Sequence, residues 1–140
     1  MAWLLDTNVI AELTSGRPNA RVVAWASTQD ERQLYLSILT LAEYDKGIAN
    51  LPADHAALPR IEANLRALEV RFAGRILALT DAAVRRWGRL SGEGKRRDGR
   101  APPVVDTLLA ATAIEHDLTL VTRNVKDVAG TGARVCNPWE

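Results

Sequence analysis

Short unbroken apolar runs alternate along this chain with longer stretches in which apolar residues return every three or four positions. The runs are Trp3-Leu4-Leu5, Gln33 to Ile38, Arg75 to Leu79, Leu118 to Thr122 and Arg134 to Cys136. Runs without polar alternation suit strands covered on both faces, as in a parallel sheet. Val9, Ile10 and Leu13 have helical spacing, and so do Val22, Val23 and Ala26 after a loop at residues 15–19, where Asn19 can act as cap. Thr40 and Glu43 form a T-x-x-E capping-box pattern, predicting a helix from Thr40 to about Ala49 that stops at Asn50-Leu51-Pro52. Leu58, Ile61, Leu65 and Leu68 predict an amphipathic helix within residues 54–72, with Pro59 tolerable only near its start. Thr80 or Asp81 caps a helix through Val84, Trp87 and Leu90, and Val105, Leu108, Leu109 and Thr112 mark another from Val104 to His116. Strands alternating with helices predict a three-layer α/β/α sandwich around a mostly parallel central sheet.

Between Leu90 and Val104 the pattern lapses into glycine and charge, which reads as a mobile loop. Seven of the eighteen Lys and Arg residues, Arg85, Arg86, Arg89, Lys95, Arg96, Arg97 and Arg100, fall between positions 85 and 100. A run of this kind is either a solvated face or a surface that tracks phosphates without reading sequence. The net charge of +1 says nothing by itself about a nucleic-acid partner, so the clustering carries the suggestion.

Composition narrows the chemistry. At 140 residues, 47% apolar and 25% charged, the chain is expected to be one soluble globular domain spanning residues 1–140. The single cysteine, Cys136, excludes an internal disulfide, fits a reducing cytoplasm, and reads as a buried structural thiol. No leader or membrane span is evident. Two histidines and one cysteine are too few for a four-ligand zinc site, so any metal must be held by oxygen.

Oxygen ligands are available. Asp6 ends the first strand, Glu43 follows the second, and Asp106 lies just beyond Pro102-Pro103; each is expected in the first turn of a helix. Each also has a purely structural role open to it: Asp6 as N-cap, Glu43 as partner of Thr40, and Asp106 as complement to the helix dipole. Helices that follow parallel strands start at one sheet edge, so the acids can converge there. A divalent cation such as Mg²⁺ or Mn²⁺ would offset their repulsion, activate water and stabilise an in-line phosphoryl displacement.

Four ordered motifs sharpen this picture: Leu4-Leu5-Asp6-Thr7-Asn8-Val9-Ile10, Thr40-Leu41-Ala42-Glu43, Val105-Asp106-Thr107-Leu108-Leu109-Ala110-Ala111-Thr112-Ala113 and Leu120-Val121-Thr122-Arg123-Asn124. Together they resemble the PIN-domain family, and the ending Val135-Cys136-Asn137-Pro138-Trp139-Glu140 resembles its VapC-type toxin branch. The resemblance runs from Leu4 to the C-terminus. It implies a Mg²⁺-dependent endoribonuclease acting on RNA, with Mn²⁺ as a substitute, that serves as the toxin of a type II toxin–antitoxin pair. It further implies a cognate antitoxin whose C-terminal segment covers the active site, where the negative crevice would accept a basic residue, and the chain is expected to form a homodimer. Asp6 and Asp106 become metal ligands, Glu43 a third acid, and Asn8 and Thr40 groups that orient those carboxylates. Lys95, Arg96, Arg97 and Arg100 become candidates for RNA binding. Asn124 stands where many relatives carry a fourth acid, and Asp127 either compensates or is an ordinary loop residue.

Two other classes compete. One is a catalytically inactive PIN-like module that binds RNA or protein, with Asn124 as the first loss. The other is a phosphotransfer domain with Asp6 as nucleophile, which lacks the second acid at Asn8 and the late lysine such domains use.

Overall fold

The computed structural model describes residues 1–140. Its elements are β1 (Trp3–Leu5), α1 (Thr7–Leu13), α2 (Ala20–Ser27), β2 (Leu34–Ser37), α3 (Ile38–Asn50), α4 (Leu58–Arg71), β3 (Ile76–Leu77), α5 (Asp81–Asp98), α6 (Val104–Glu115), β4 (Thr119–Val121), α7 (Val125–Val128) and β5 (Val135–Cys136). All strand pairs are parallel, and the sheet order is β3-β2-β1-β4-β5. From β1 the chain first builds one flank through β2 and β3. It then crosses to build the other through β4 and β5, so the order reverses between β1 and β4.

Side chains on successive strand residues face opposite sides of the sheet, which splits the core in two. Leu5 and Val121 join Val9, Ile10, Val22, Leu68 and Phe72 on one face, beneath α1, α2 and α4. Leu4 and Leu120 join Leu109, Ala110, Ala113 and Val128 on the other, beneath α6 and α7. The two clusters and the sheet between them make the expected three layers.

Asn19 caps α2, Thr80 caps α5, and Pro59 occupies the start of α4, all as the sequence suggests. The capping box does not form. Ser37 adopts the extended backbone a cap needs and accepts from the amide of Leu39 at 3.0 Å, so the cap lies three residues before Thr40 and α3 starts at Ile38. This corrects two expectations, because Thr40 lies within the helix, buried, and Glu43 lies in its second turn.

The glycine-rich basic stretch is also not a mobile loop. Helix α5 runs straight through Gly92 and Gly94 and stops at Gly99, whose left-handed backbone (φ 82°) lets its amide bond to the carbonyl of Lys95 at 2.8 Å. A helical glycine costs about 1 kcal/mol relative to alanine. At Gly94 packing explains the choice: a Cβ there would lie 3.1 Å from the ring of Pro102. Lys95, Arg96 and Arg97 fill the last turn, where positive charge complements the helix dipole.

Helix α6 is buried nearly all round at Thr107, Leu109, Ala110, Ala111, Thr112 and Ala113. Its small side chains allow α5 to pack along it, and Arg86 of α5 pairs with Glu115. A 3₁₀ turn at Glu31–Gln33 and the short helix α7 were not evident from hydrophobic spacing. Cys136 is half-buried, and burial raises its thiol pKa, as suits a structural residue. No helix is long and apolar enough to cross a membrane.

Candidate active site

The reversal of strand order leaves a crevice at the carboxyl ends of β1 and β4, the position where open α/β sheets bind ligands. Asp6 stands at its centre. Its amide bonds to the carbonyl of Val121 at 2.9 Å, extending the β1–β4 ladder by one step. Its carboxylate does two jobs. Oδ1 accepts from the amide of Thr7 at 2.6 Å, capping α1. Oδ2 accepts from the hydroxyl of Thr122 at 2.7 Å and from the amide of Asn8 at 3.3 Å. Burial raises the pKa of Asp6, these hydrogen bonds oppose the rise, and the charge of Glu43 adds to it. The structural and the functional readings of Asp6 are therefore compatible.

Asn8 also donates to the hydroxyl oxygen of Thr122 at 3.3 Å, which fixes the orientation of its amide. Turning the amide over would set its oxygen against Asp6. In the orientation present, Asn8 Oδ1 is buried and accepts no hydrogen bond. An acceptor stranded beside a carboxylate is costly unless a donor arrives.

Glu43 approaches from α3. Its Oε1 accepts from Thr7 Oγ1 at 2.7 Å, and Thr7 Oγ1 lies 3.0 Å from Thr40 Oγ1. Thr7 has one hydroxyl proton, and the shorter contact to a carboxylate claims it. Thr40 must then donate to Thr7, giving a relay from Thr40 through Thr7 to Glu43 that holds one oxygen of the acid and leaves Oε2 free of it.

Asp106 reaches the crevice from the first turn of α6, which has no side-chain cap, so its unpaired amides favour negative charge nearby. Its pKa is nonetheless raised to about 6, first by burial and then by the charges of Asp6 and Asp127. The nearby side-chain amide of Asn124 favours the charged form and lowers it again, whereas the neighbouring carboxyl of Asp127 raises it. Asn124 thus faces the site as a neutral group near Asp106, and Asp127, one helical turn further along α7, brings an acid to the same place.

None of the six ion pairs in the structure involves Asp6, Glu43, Asp106 or Asp127. No three acid, histidine or cysteine side chains are gathered closely enough to enclose a cation alone. This donor set suits a small, hard cation that keeps several waters: carboxylate oxygens of Asp6 and Asp106, and the stranded Oδ1 of Asn8 awaiting a donor such as a coordinated water.

The basic candidates divide. Arg97 and Arg100 line a groove of about 590 Å³ between the end of α5 and α7, together with Pro102, Lys126, Asp127 and Gly130, while Lys95 and Arg96 lie outside it. Thr7, Thr122 and Lys126 bear on the site although chemistry-bearing residue types alone did not single them out. Thr7 and Thr122 sit inside the two motifs that carry Asp6 and Asn124, and their signal was a hydroxyl one or two positions past a strand end.

A PIN-domain family model matches residues 3–127. The chain is 36% identical over 140 residues to the VapC ribonuclease Y4jK of Sinorhizobium fredii, covering 98% of this chain and 97% of that one. Among solved structures it is similar to FitAcB from Neisseria gonorrhoeae, with a TM-score of 0.87, 34% identity and 99% of each chain covered. It is also similar to a toxin–antitoxin complex from Klebsiella pneumoniae, with a TM-score of 0.72, 28% identity, and 100% and 99% of the two chains covered.

Proposed function

The chain belongs to the PIN-domain family, and from that premise we propose that it is the ribonuclease toxin of a type II toxin–antitoxin pair, with residues 1–140 acting as one nuclease domain. The names of its relatives, a VapC ribonuclease and a toxin–antitoxin complex, support this reading. The observation that carries it is that Asp6, at the strand-order reversal, faces the charges of Glu43 and of Asp106 while no ion pair neutralises any of the three.

Asp6 and Asp106 would hold Mg²⁺, or Mn²⁺ in its place. When bound, the ion lowers the pKa of water and offsets charge on the phosphate. The chain's own residues prepare the rest. Thr122 and Asn8 fix the rotamer of Asp6, and Asn124 does the same for Asp106. Thr40 and Thr7 orient Glu43 so that its free Oε2 takes the proton of the attacking water. The water oxygen bonds to phosphorus, the bond to the leaving ribose oxygen breaks, and that oxygen takes a proton from solvent. Lys95, Arg96, Arg97 and Arg100 at the end of α5 supply the positive charge that retains RNA beside Asp106.

The partner is a cognate antitoxin. An Arg or Lys inserted among Asp6, Glu43 and Asp106 would form the ion pairs these acids lack and exclude the metal. Leu41, Tyr44 and Ile48 of α3 are half-buried and would give an amphipathic partner helix a partial apolar seat. Pairing with a second copy of the chain is read by light scattering. The central experiment incubates purified protein with labelled RNA in Mg²⁺ and in EDTA. Wild type cleaves only with the metal, Asp6→Asn does not cleave, and cleavage by Asp6→Asn at the wild-type rate sinks the proposal.

A further inference from the structure

The groove between α5 and α7 is lined by three cations, Arg97, Arg100 and Lys126, and by two acids, Asp98 and Asp127. At the α5 end, Arg97 bonds to Asp98 through Nε at 3.2 Å and Nη2 at 3.1 Å, leaving Nη1 unengaged. Its guanidinium lies on Gly130, where a Cβ would come within 2.8 Å of Cζ, so the glycine (φ 81°) gives the arginine its seat. Arg100 and Lys126 are exposed and make no ion pair. On α7, beside Lys126, Asp127 also lines the groove and sets its charge against Asp106. The groove therefore offers two unpaired cations, Arg100 and Lys126, and an arginine tied to Asp98, while Asp127 in its wall carries it toward Asp106. Lys126 and Asp127 also line a second recess of about 350 Å³ with Arg123, Asn124 and Glu140, so the two depressions share a wall at α7.

A phosphodiester strand meets these charges differently. A phosphate beside the acids is repelled until a cation intervenes, whereas its neighbour along the strand is attracted by Arg100 and Lys126 without one. We propose that this groove is the track of single-stranded RNA leading to the acids. In it Arg100, Lys126 and the free edge of Arg97 bind the backbone phosphate next to the one cleaved. This rests on the ribonuclease reading and adds to it a division among the basic residues. Lys95 and Arg96, on the same helix end but outside the groove, act only through distant charge.

The test is binding of a fluorescein-labelled oligouridylate in EDTA, where no cleavage interferes, followed by anisotropy across a range of KCl concentrations. For single strands each phosphate contact contributes about 0.7 to the slope of log affinity against log salt. Arg100→Ala/Lys126→Ala should flatten the slope by about 1.4 and weaken binding about tenfold at low salt. Lys95→Ala/Arg96→Ala removes the same charge and should change the slope by less than half as much. Both pairs are exposed, and unchanged thermal melts confirm that each variant is folded. Equal losses from the two pairs, or wild-type binding by Arg100→Ala/Lys126→Ala, overturn the track. Selective loss of a neutralising protein partner with RNA binding intact would assign the groove to that partner instead and also overturn it. Wild-type protein that shows the predicted pattern but cleaves no RNA in Mg²⁺ leaves the track standing and removes the nuclease reading.

Discussion

Replacing Asp106 by asparagine should stabilise the metal-free protein while destroying its proposed activity. The pKa of Asp106 rises from 3.8 to about 6, because it is partly buried and faces Asp6 and Asp127. A carboxyl group whose folded pKa exceeds its unfolded value contributes stability that is fully present below the unfolded value. That contribution is lost as the pH rises through the folded one. The metal-free chain should thus weaken between about pH 4 and pH 7 on account of this residue. Taken at face value the difference is worth about 3 kcal/mol at neutral pH. Asp106 is partly open to solvent, and screening reduces this to ~1 kcal/mol. For a chain of this size, ~1 kcal/mol corresponds to about 3 °C in melting temperature. Asparagine keeps the shape and cannot ionise. In EDTA, Asp106→Asn should therefore melt about 3 °C above wild type near pH 8, and together with it near pH 4.5. Adding Mg²⁺ should reverse the order near pH 8, because ligand at about 100 times its Kd stabilises the form that binds it by ~2.7 kcal/mol. Differential scanning fluorimetry at the two pH values reads all of this. An Asp106→Asn variant that melts at or below wild type in EDTA near pH 8 would refute the claim that these acids are electrostatically strained.

Other perturbations probe the supporting groups. Thr122→Val deletes the hydroxyl that donates to buried Asp6; urea denaturation should show a loss of ~1–3 kcal/mol, and an unchanged midpoint would mean that solvent replaces the bond. Thr7→Val breaks the relay to Glu43 without touching Asp6 or Asp106 side chains; it should lower kcat at least tenfold while leaving KM near wild type, and equal effects on both would place Thr7 in binding instead. Gly92→Ala, with open space at its Cβ position, should stabilise α5 by ~0.5–1 kcal/mol, whereas Gly94→Ala should lose that gain against Pro102; thermal melts of the two single variants make the comparison.

What was legible in the sequence followed from strong local signals. The unbroken apolar runs located all five strands, and their alternation with helical spacing defined the layers. Asp6 was legible because a strand cannot continue through a helix cap, so the acid after Leu5 had to mark the sheet edge. Errors arose where a longer-range contact outweighed a local rule. T-x-x-E at Thr40 satisfied a capping pattern, but Ser37 already had the extended backbone, and Thr40 was needed as the donor to Thr7 across the site. Gly92 and Gly94 read as breakers because nothing local reveals that Pro102 packs against the helix at Gly94. For Asp127 the sequence left two readings open, compensation for Asn124 or an ordinary loop residue. Its role depends on the four-residue helix α7, too short to leave a periodic pattern, which turns its side chain to Asp106.

The bond between Thr122 and Asp6 joins residues 116 positions apart, and β1 takes β4 as one of its two neighbours. During synthesis the first acid of the site leaves the ribosome early and waits for almost the entire chain before its partner strand exists. A polypeptide released before Thr119 has one side of β1 unpaired, lacks the hydroxyl that orients Asp6, and has no Asn124 or Asp127 beside Asp106. Fragments from interrupted translation therefore cannot assemble the cluster. For a protein whose proposed substrate is RNA, this gives the cell producing it an interval in which the chain is present but harmless.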